Sequence, residues 1–212
     1  YFDRNAILAN LGERYAIERV YFKPYSCCRW IHSALDALLG LMAENGIEPG
    51  QIERIRVHTF ERALRLNNYC NPDSLEGAQY SIPFSLAVAA LKGRGTLLPM
   101  KPDCLGQPDI VALAEKVELS VDPELDRLFP ARAPARLVLK TARGEWERLV
   151  QDAWGDPDKP MDVPSLEKKF RTLTDGIFRQ KDQDEAIDAV AHLETGGLER
   201  LIGLLGTTAG RR

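Results

Sequence analysis

The chain has 212 residues, of which 44% are hydrophobic and 28% are charged, a balance typical of a folded globular protein. A formal charge of -3 argues against a nucleic-acid partner, because duplex-binding proteins usually carry a clear basic excess. No apolar run approaches membrane-spanning length, and the start of the chain lacks the pattern of a signal peptide, so we expect no membrane partner and a cytoplasmic location.

Taken in chain order, the first elements lead into a loop and a long helix. Asp3 is placed to cap a short helix that ends at Gly12, and residues 15–22, rich in aromatic and β-branched types, are expected to run extended. Pro24 keeps the preceding lysine outside any helix. Apolar residues then recur at helical spacing, which predicts a helix from about Trp30 until Asn45-Gly46 ends it.

The middle of the chain alternates between strand and helix patterns. Period-two alternation predicts strands at 55–59 and 117–121, and glycine between two strand-like runs predicts a hairpin over 136–150. A second helix is expected from Ser81 to Gly93, and Asp109 is expected to cap another. These elements predict an α+β fold, a mostly antiparallel sheet packed with helices.

The last part of the chain has a purely helical pattern. Residues 155–160, Gly-Asp-Pro-Asp-Lys-Pro, break the composition, and three short amphipathic helices are expected beyond them. We therefore predict an α+β domain over residues 1–154 and an all-helical tail over 155–212. The apolar faces of the tail are expected to be exposed or covered by another chain.

Residues 23–36 concentrate more chemistry than any other stretch. Lys23 and Arg29 lie beside the start of the long helix, whose free N–H groups and dipole would favour a carboxylate there. His32 lies one turn into the helix, with Asp36 placed to fix its tautomer. Each has an ordinary alternative: Lys23 and Arg29 as solvated surface cations, and His32 as a buried or surface histidine satisfied locally.

The four cysteines and the second helix give weaker signals. Cys27, Cys28, Cys70 and Cys104 have neither the CxxC spacing nor the histidine pattern of a zinc site, and no cofactor or metal is expected. Cys27 is either a nucleophile activated by nearby cations or an inert core thiol.

Gln79 and Ser81 precede the second helix, where their groups either hold an anion or simply cap the helix. Gly93-Arg94-Gly95 lacks the features of a dinucleotide fingerprint.

The order of these motifs resembles the MmgE/PrpD family of 2-methylcitrate dehydratases, cis-aconitate decarboxylases and related enzymes. The resemblance starts with Lys-Pro-Tyr-x-Cys-Cys-Arg-x-x-His-x-x-x-Asp at 23–36. It continues through Tyr-Ser-Ile-Pro-Phe-Ser-Leu-Ala at 80–87, Ala-Leu-Lys-Gly at 90–93, Asp-Pro-Glu-Leu at 122–125 and Gly-Asp-Pro at 155–157. Cys28 corresponds to a pocket position that is histidine in some decarboxylases of the family. Phe84 stands where relatives often have a tyrosine.

The resemblance implies the C-terminal portion of a metal-free, dimeric lyase that acts on small di- or tricarboxylates, with dehydration of the 2-methylcitrate type as the leading reaction. Family members carry a helical domain ahead of this point that supplies further catalytic histidines, so the chain alone is expected to be nearly inactive. Lys23 and His32 would be catalytic, and Cys28, Arg29, Gln79, Ser81 and Phe84 would bind substrate. A decarboxylase or epimerase on the same scaffold, or a noncatalytic binding or assembly module, remains an alternative.

Overall fold

The computed structural model describes residues 2–13 and 15–209. The chain divides into two compact units, one that ends at Met161 and one that begins at Asp162. The boundary predicted after residue 154 lies shortly before this division, so residues 155–161 belong to the first unit. None of the described helices is both long enough and apolar enough to cross a membrane.

Within the described residues of the first unit, four strands form one mixed sheet in the order β2-β1-β3-β4. β1 pairs parallel with β2 and antiparallel with β3, and β3 and β4 form a hairpin. Alternation along β1 buries Ile55, Val57 and Thr59 and turns the intervening Arg56 and His58 towards the other face. The strands are Ile52–Thr59, Val117–Val121, Ala135–Thr141 and Gly144–Val150.

Seven α-helices belong to the described part of this unit. Two of them, α2 and α5, pack against each other, and α2 also packs on β3 and β4. Their apolar residues and the inner face of the sheet make one continuous core. The helices α1 to α7 are Arg4–Leu8, His32–Asn45, Glu61–Leu64, Leu75–Gln79, Ile82–Lys92, Pro108–Ala114 and Pro123–Asp126.

The segment before α2 is fixed by contacts with distant parts of the chain. Phe22 N donates to Gly155 O at 3.0 Å, and a Cβ on Gly155 would lie 2.0 Å from Phe22 O. Gly155 also has a φ of +94°, which an L side chain rarely adopts. Glycine is therefore required where the chain after β4 passes the segment that leads to Lys23.

The second unit consists of three helices in its described residues: α8 over Val163–Thr174, α9 over Gln180–Ala191 and α10 over Gly197–Ala209. An apolar cavity of about 390 Å³ lies between them, lined mainly by residues such as Leu166, Phe170, Ile187 and Val190. Large apolar side chains, including Ile177, Leu198 and Ile202, are exposed on this unit.

The predicted α+β class is confirmed, and three local expectations are wrong. The helix that Asp3 caps ends at Leu8 and not at Gly12. Residues Ala16–Arg19 form a 3₁₀ turn within the segment expected to be extended. Asp109 does not cap its helix, because α6 already begins at Pro108 with Gln107 in the N-cap position. Proline at the first position of a helix is favoured, since its missing N–H would have no partner there.

Candidate active site

The backbone carbonyl of Cys27 brings Lys23 and His32 together. Lys23 Nζ donates to Cys27 O at 3.2 Å, and His32 Nε2 lies 3.4 Å from the same oxygen. Lys23 is exposed, whereas His32 is fully buried at the first turn of α2. The Lys23 ammonium therefore lies at the protein surface, and the His32 imidazole contacts the same carbonyl from the buried interior.

A buried tyrosine, Tyr25, packs against His32 and links it to Asp36. The Tyr25 ring meets the His32 ring edge-on, with 5.1 Å between centroids. Tyr25 Oη donates to Asp36 Oδ1 at 2.6 Å, and Trp154 N donates to Asp36 Oδ2 at 2.7 Å. Burial and the neighbouring Asp36 carboxylate raise the pKa of Tyr25, so it remains a neutral hydrogen-bond donor. The hydrogen bond predicted between Asp36 and His32 stays a prediction.

Arg29 is held by a carboxylate of the protein itself. Its guanidinium pairs with Asp156, with Nε donating to Oδ1 at 3.2 Å, and Nη2 also donates to Ala153 O at 3.5 Å. The Arg29 side chain is only 10% exposed, and its Cζ lies 5.3 Å from the Tyr21 ring centroid. Its fork therefore anchors the loop after β4 and is not open to a substrate carboxylate in this arrangement.

A cleft of about 360 Å³ lies beside Arg29. Tyr21, Trp30 and Phe129 supply its aromatic surface, and three arginine–aspartate pairs supply its charges. In addition to the Arg29–Asp156 pair, Arg19 meets Asp158 at 3.7 Å and Arg132 meets Asp152 at 2.9 Å. Because these charges balance, the cleft has no surplus of cations, and neither Lys23 nor His32 belongs to the described residues that line it.

The two adjacent cysteines have different surroundings. Cys28 is half-buried, and its N–H donates to Gln79 O at 2.8 Å, while Ser26 N donates to Leu97 O at 2.7 Å. The backbone amides of Ser26 and Cys28 are thus bound to protein carbonyls. Burial raises the pKa of the Cys27 thiol to about 12, which makes the thiol inert at neutral pH.

The second helix uses its first residues for structure. Ser81 Oγ accepts from Phe84 N at 3.1 Å and donates to Tyr69 O at 2.7 Å, as an N-cap does. Ser81 and Phe84 are both fully buried, whereas Gln79 is half-buried and meets Cys28 through its carbonyl. Of the seven residues predicted for the site, Lys23 is exposed and Cys28 and Gln79 are half-buried. Arg29 is paired with Asp156, and His32, Ser81 and Phe84 are fully buried.

Sequence reasoning missed several residues around this loop. Arg94 Cζ lies 5.0 Å from the Trp154 ring centroid and 5.7 Å from that of Tyr25. Tyr25 and Asp156 lie inside two of the family motifs, at 23–36 and 155–157. Gly93-Arg94-Gly95 was considered only as a dinucleotide fingerprint, and nothing in the sequence indicated that Arg94 and Trp154 meet, because they do so only after folding. Among the described residues, no cluster of three His, Cys, Asp or Glu side chains is placed to hold a metal ion.

The fold and this loop correspond to the C-terminal domain of one enzyme family. The family model described as the MmgE/PrpD C-terminal domain matches residues 25–195, and the chain belongs to the MmgE/PrpD family. It is 23% identical over 211 residues to a cis-aconitate decarboxylase of Aspergillus terreus, covering 94% of this chain and 42% of that protein. A second cis-aconitate decarboxylase, from Aspergillus terreus strain NIH 2624 / FGSC A1156, is 22% identical over 203 residues. That match covers 91% of this chain and 41% of the relative, so the chain spans about two-fifths of the length of these relatives.

Proposed function

We propose that the protein is the C-terminal part of a lyase that acts on small di- or tricarboxylates. The observation that carries this proposal is the convergence of Lys23 Nζ and His32 Nε2 on the Cys27 carbonyl. An exposed ammonium, held by that carbonyl and supported by a buried imidazole, suits a group that binds a carboxylate or donates a proton. Membership of the MmgE/PrpD family supports the same class of substrate.

Our leading reaction is dehydration of the 2-methylcitrate type. A base removes a proton from the carbon next to a carboxylate, the neighbouring carbon–oxygen bond breaks, and the departing hydroxide takes up a proton to leave as water. Lys23 supplies the cation or the proton donor at this step. Cys28 directly follows the carbonyl that holds Lys23, and its N–H donates to Gln79 O. Because His32 is fully buried, we assign it the role of positioning the Cys27 carbonyl, and through it Lys23.

A second reaction, decarboxylation, is favoured by the relatives, which are named cis-aconitate decarboxylases. Loss of carbon dioxide also needs a cation on the remaining carboxylates and a proton donor for the new carbanion, so the same Lys23 serves. In both cases we propose that a preceding helical domain completes the site. The expected homodimer and the cytoplasmic location remain predictions.

The test is an assay of the whole gene product with citrate, 2-methylcitrate and cis-aconitate. Product formation is followed by NMR, which separates loss of water from loss of carbon dioxide. We expect Lys23→Ala to lower kcat/KM by about a hundredfold or more, the size typical of a lost general acid. Lys168→Ala, which removes an exposed lysine of the second unit, should leave the rate unchanged. Equal rates for both variants, or no turnover of any of these acids, would overturn the proposal.

A further inference from the structure

Arg94 is an exposed arginine whose guanidinium lies over two aromatic rings, those of Trp154 and Tyr25. Both distances, 5.0 Å and 5.7 Å to the ring centroids, are within the range of a cation–π contact, about 6 Å. A guanidinium above a ring keeps the N–H groups in its own plane free to donate, so it can still bind a carboxylate as a bidentate fork.

The charge of Arg94 has no acidic partner within the part of the chain that the structure describes. The arginines around the nearby cleft differ in this respect, since Arg19, Arg29 and Arg132 each pair with an aspartate. A cation that is already held by two rings loses less side-chain freedom when an anion binds. Arg94 is therefore held in a position where it can bind an anion from outside the described part of the chain.

The turn that carries Arg94 is fastened to the loop of residues 23–28. Gly93, with a φ of +82°, ends α5 and allows the chain to enter the 3₁₀ turn Arg94–Leu97. Ser26 donates to Leu97 O from both its N and its Oγ, each at 2.7 Å. Met100 N donates to Ser26 Oγ at 2.8 Å. These hydrogen bonds fix the arginine against the loop that carries Lys23.

Tyr25 connects Arg94 to the centre of the proposed site. The Tyr25 ring lies under the Arg94 guanidinium and also meets the His32 ring. His32 Nε2 and Lys23 Nζ both contact the Cys27 carbonyl. The series of contacts runs from Arg94 through Tyr25, His32 and the Cys27 carbonyl to Lys23. A substitution at Arg94 can therefore alter the position of Lys23, and the reverse also holds.

From these contacts we infer that Arg94 is a second carboxylate-binding cation of the Lys23 site and that it selects acids with more than one carboxylate. The inference rests on the proposed function, because it assigns a second carboxylate of the same substrate to Arg94. Lys23 binds the carboxylate next to the reacting carbons, and the Arg94 fork receives another. A monocarboxylate can use only one of the two cations.

The inference is tested by titrating the chain with propane-1,2,3-tricarboxylate and, separately, with acetate, followed by two-dimensional NMR. Signals are read at Arg94 Nε–H, at the Trp154 indole N–H and at the amides of residues 23–28. We expect Arg94→Ala to weaken tricarboxylate binding about tenfold and to leave acetate binding nearly unchanged, because only the tricarboxylate uses the fork. Arg94→Lys should fall between, since it keeps the charge without the fork.

Two controls separate a binding role from a packing role. Arg94→Gln keeps a long side chain over the two rings, and it should lose as much tricarboxylate affinity as the alanine variant. Arg127→Ala removes another exposed arginine and should bind as the unchanged chain does. Equal losses of affinity for acetate and the tricarboxylate, or a glutamine variant with unchanged affinity, would show that Arg94 only packs and would overturn the inference.

The NMR signals also distinguish this inference from the proposed function. Shifts at the 23–28 amides without shifts at Arg94 would overturn the inference and leave the Lys23 site standing. Shifts at Arg94 alone would support an anion-binding Arg94 and contradict a shared site with Lys23. A double-mutant cycle of Lys23→Ala and Arg94→Ala should show coupling if one ligand bridges the two cations, and additive losses would contradict the bridge.

Discussion

At the scale of single residues, Tyr25 joins three parts of the site through its ring and its hydroxyl. We expect Tyr25→Phe to lower the free energy of unfolding by about 1–3 kcal/mol, because Asp36 Oδ1 loses the donor that lies 2.6 Å away. Urea unfolding followed by fluorescence measures the change. Tyr69→Phe is the matched control, since the Tyr69 side chain is 60% exposed. Equal stability of the two variants would show that the Tyr25–Asp36 bond contributes little.

The Cys27 thiol makes the free energy of unfolding depend on pH, and the sign of this dependence follows from the pKa of the thiol. Burial raises that pKa to about 12 from an ordinary value of 9.0, so the folded chain keeps its proton where the unfolded chain loses it. The stabilising contribution is complete below pH 9 and is lost progressively as the pH rises towards 12. We expect stability to fall there by up to about 1.4 kcal/mol per pH unit from this group.

Urea unfolding at pH 8 and at pH 10.5 measures this loss. Cys27→Ala should be less stable at both values because it leaves a cavity, but its stability should fall less between them. Tyr25 adds an alkaline loss of the same sign, since its pKa is also raised by burial, and that part remains in the alanine variant. Identical slopes for the two proteins would mean that the Cys27 thiol ionises as readily in the folded chain as in the unfolded chain.

The sequence shows which residues are close along the chain, but it does not show which distant residues meet after folding. Lys23 and His32 could be placed on either side of one helix start, because Pro24 keeps the lysine before the helix and the apolar pattern puts the histidine inside it. The Arg29–Asp156 pair joins residues 127 positions apart, and no pattern along the chain marks such a partner. The same applies to Arg94, which meets Trp154 only because two loops fold together.

At the scale of elements, periodic patterns were reliable for the long helices and the hairpin, whereas short turns were missed. The 3₁₀ turn Ala16–Arg19 is too short to show a periodic pattern, and aromatic and β-branched residues there suggested an extended segment. Gly155 was noticed only as part of a composition break. Its actual role is to let the loop after β4 approach the segment before Lys23.

We expect Gly155→Ala to displace the segment around Phe22, because the new Cβ would lie 2.0 Å from Phe22 O. Gly46→Ala is the matched control: this glycine also has a positive φ, +57°, but its Cβ would meet nothing within 4 Å. The control should cost about 1 kcal/mol for its backbone conformation alone, and Gly155→Ala should cost clearly more. Amide hydrogen exchange at Phe22 should also rise only in the Gly155 variant.

At the scale of the whole molecule, the division after Met161 separates a unit with a continuous core from a small helical unit. The described members of that core all come from the first unit. A unit of this size with its own core is expected to fold alone. The three helices of the second unit, with exposed side chains such as Ile177 and Ile202, have much less to bury among themselves.

We therefore expect a chain that ends at residue 161 to unfold cooperatively and to keep the NMR signals of residues 23–36. A chain that ends at residue 154, the boundary predicted from the sequence, loses Gly155 and Asp156 as well. Arg29, whose side chain is only 10% exposed, would then keep its charge without its carboxylate, at a cost of roughly 3–5 kcal/mol. Urea unfolding of both truncated chains measures this difference. Equal stability would place the boundary at residue 154 and would show that the Arg29–Asp156 pair does not stabilise the site.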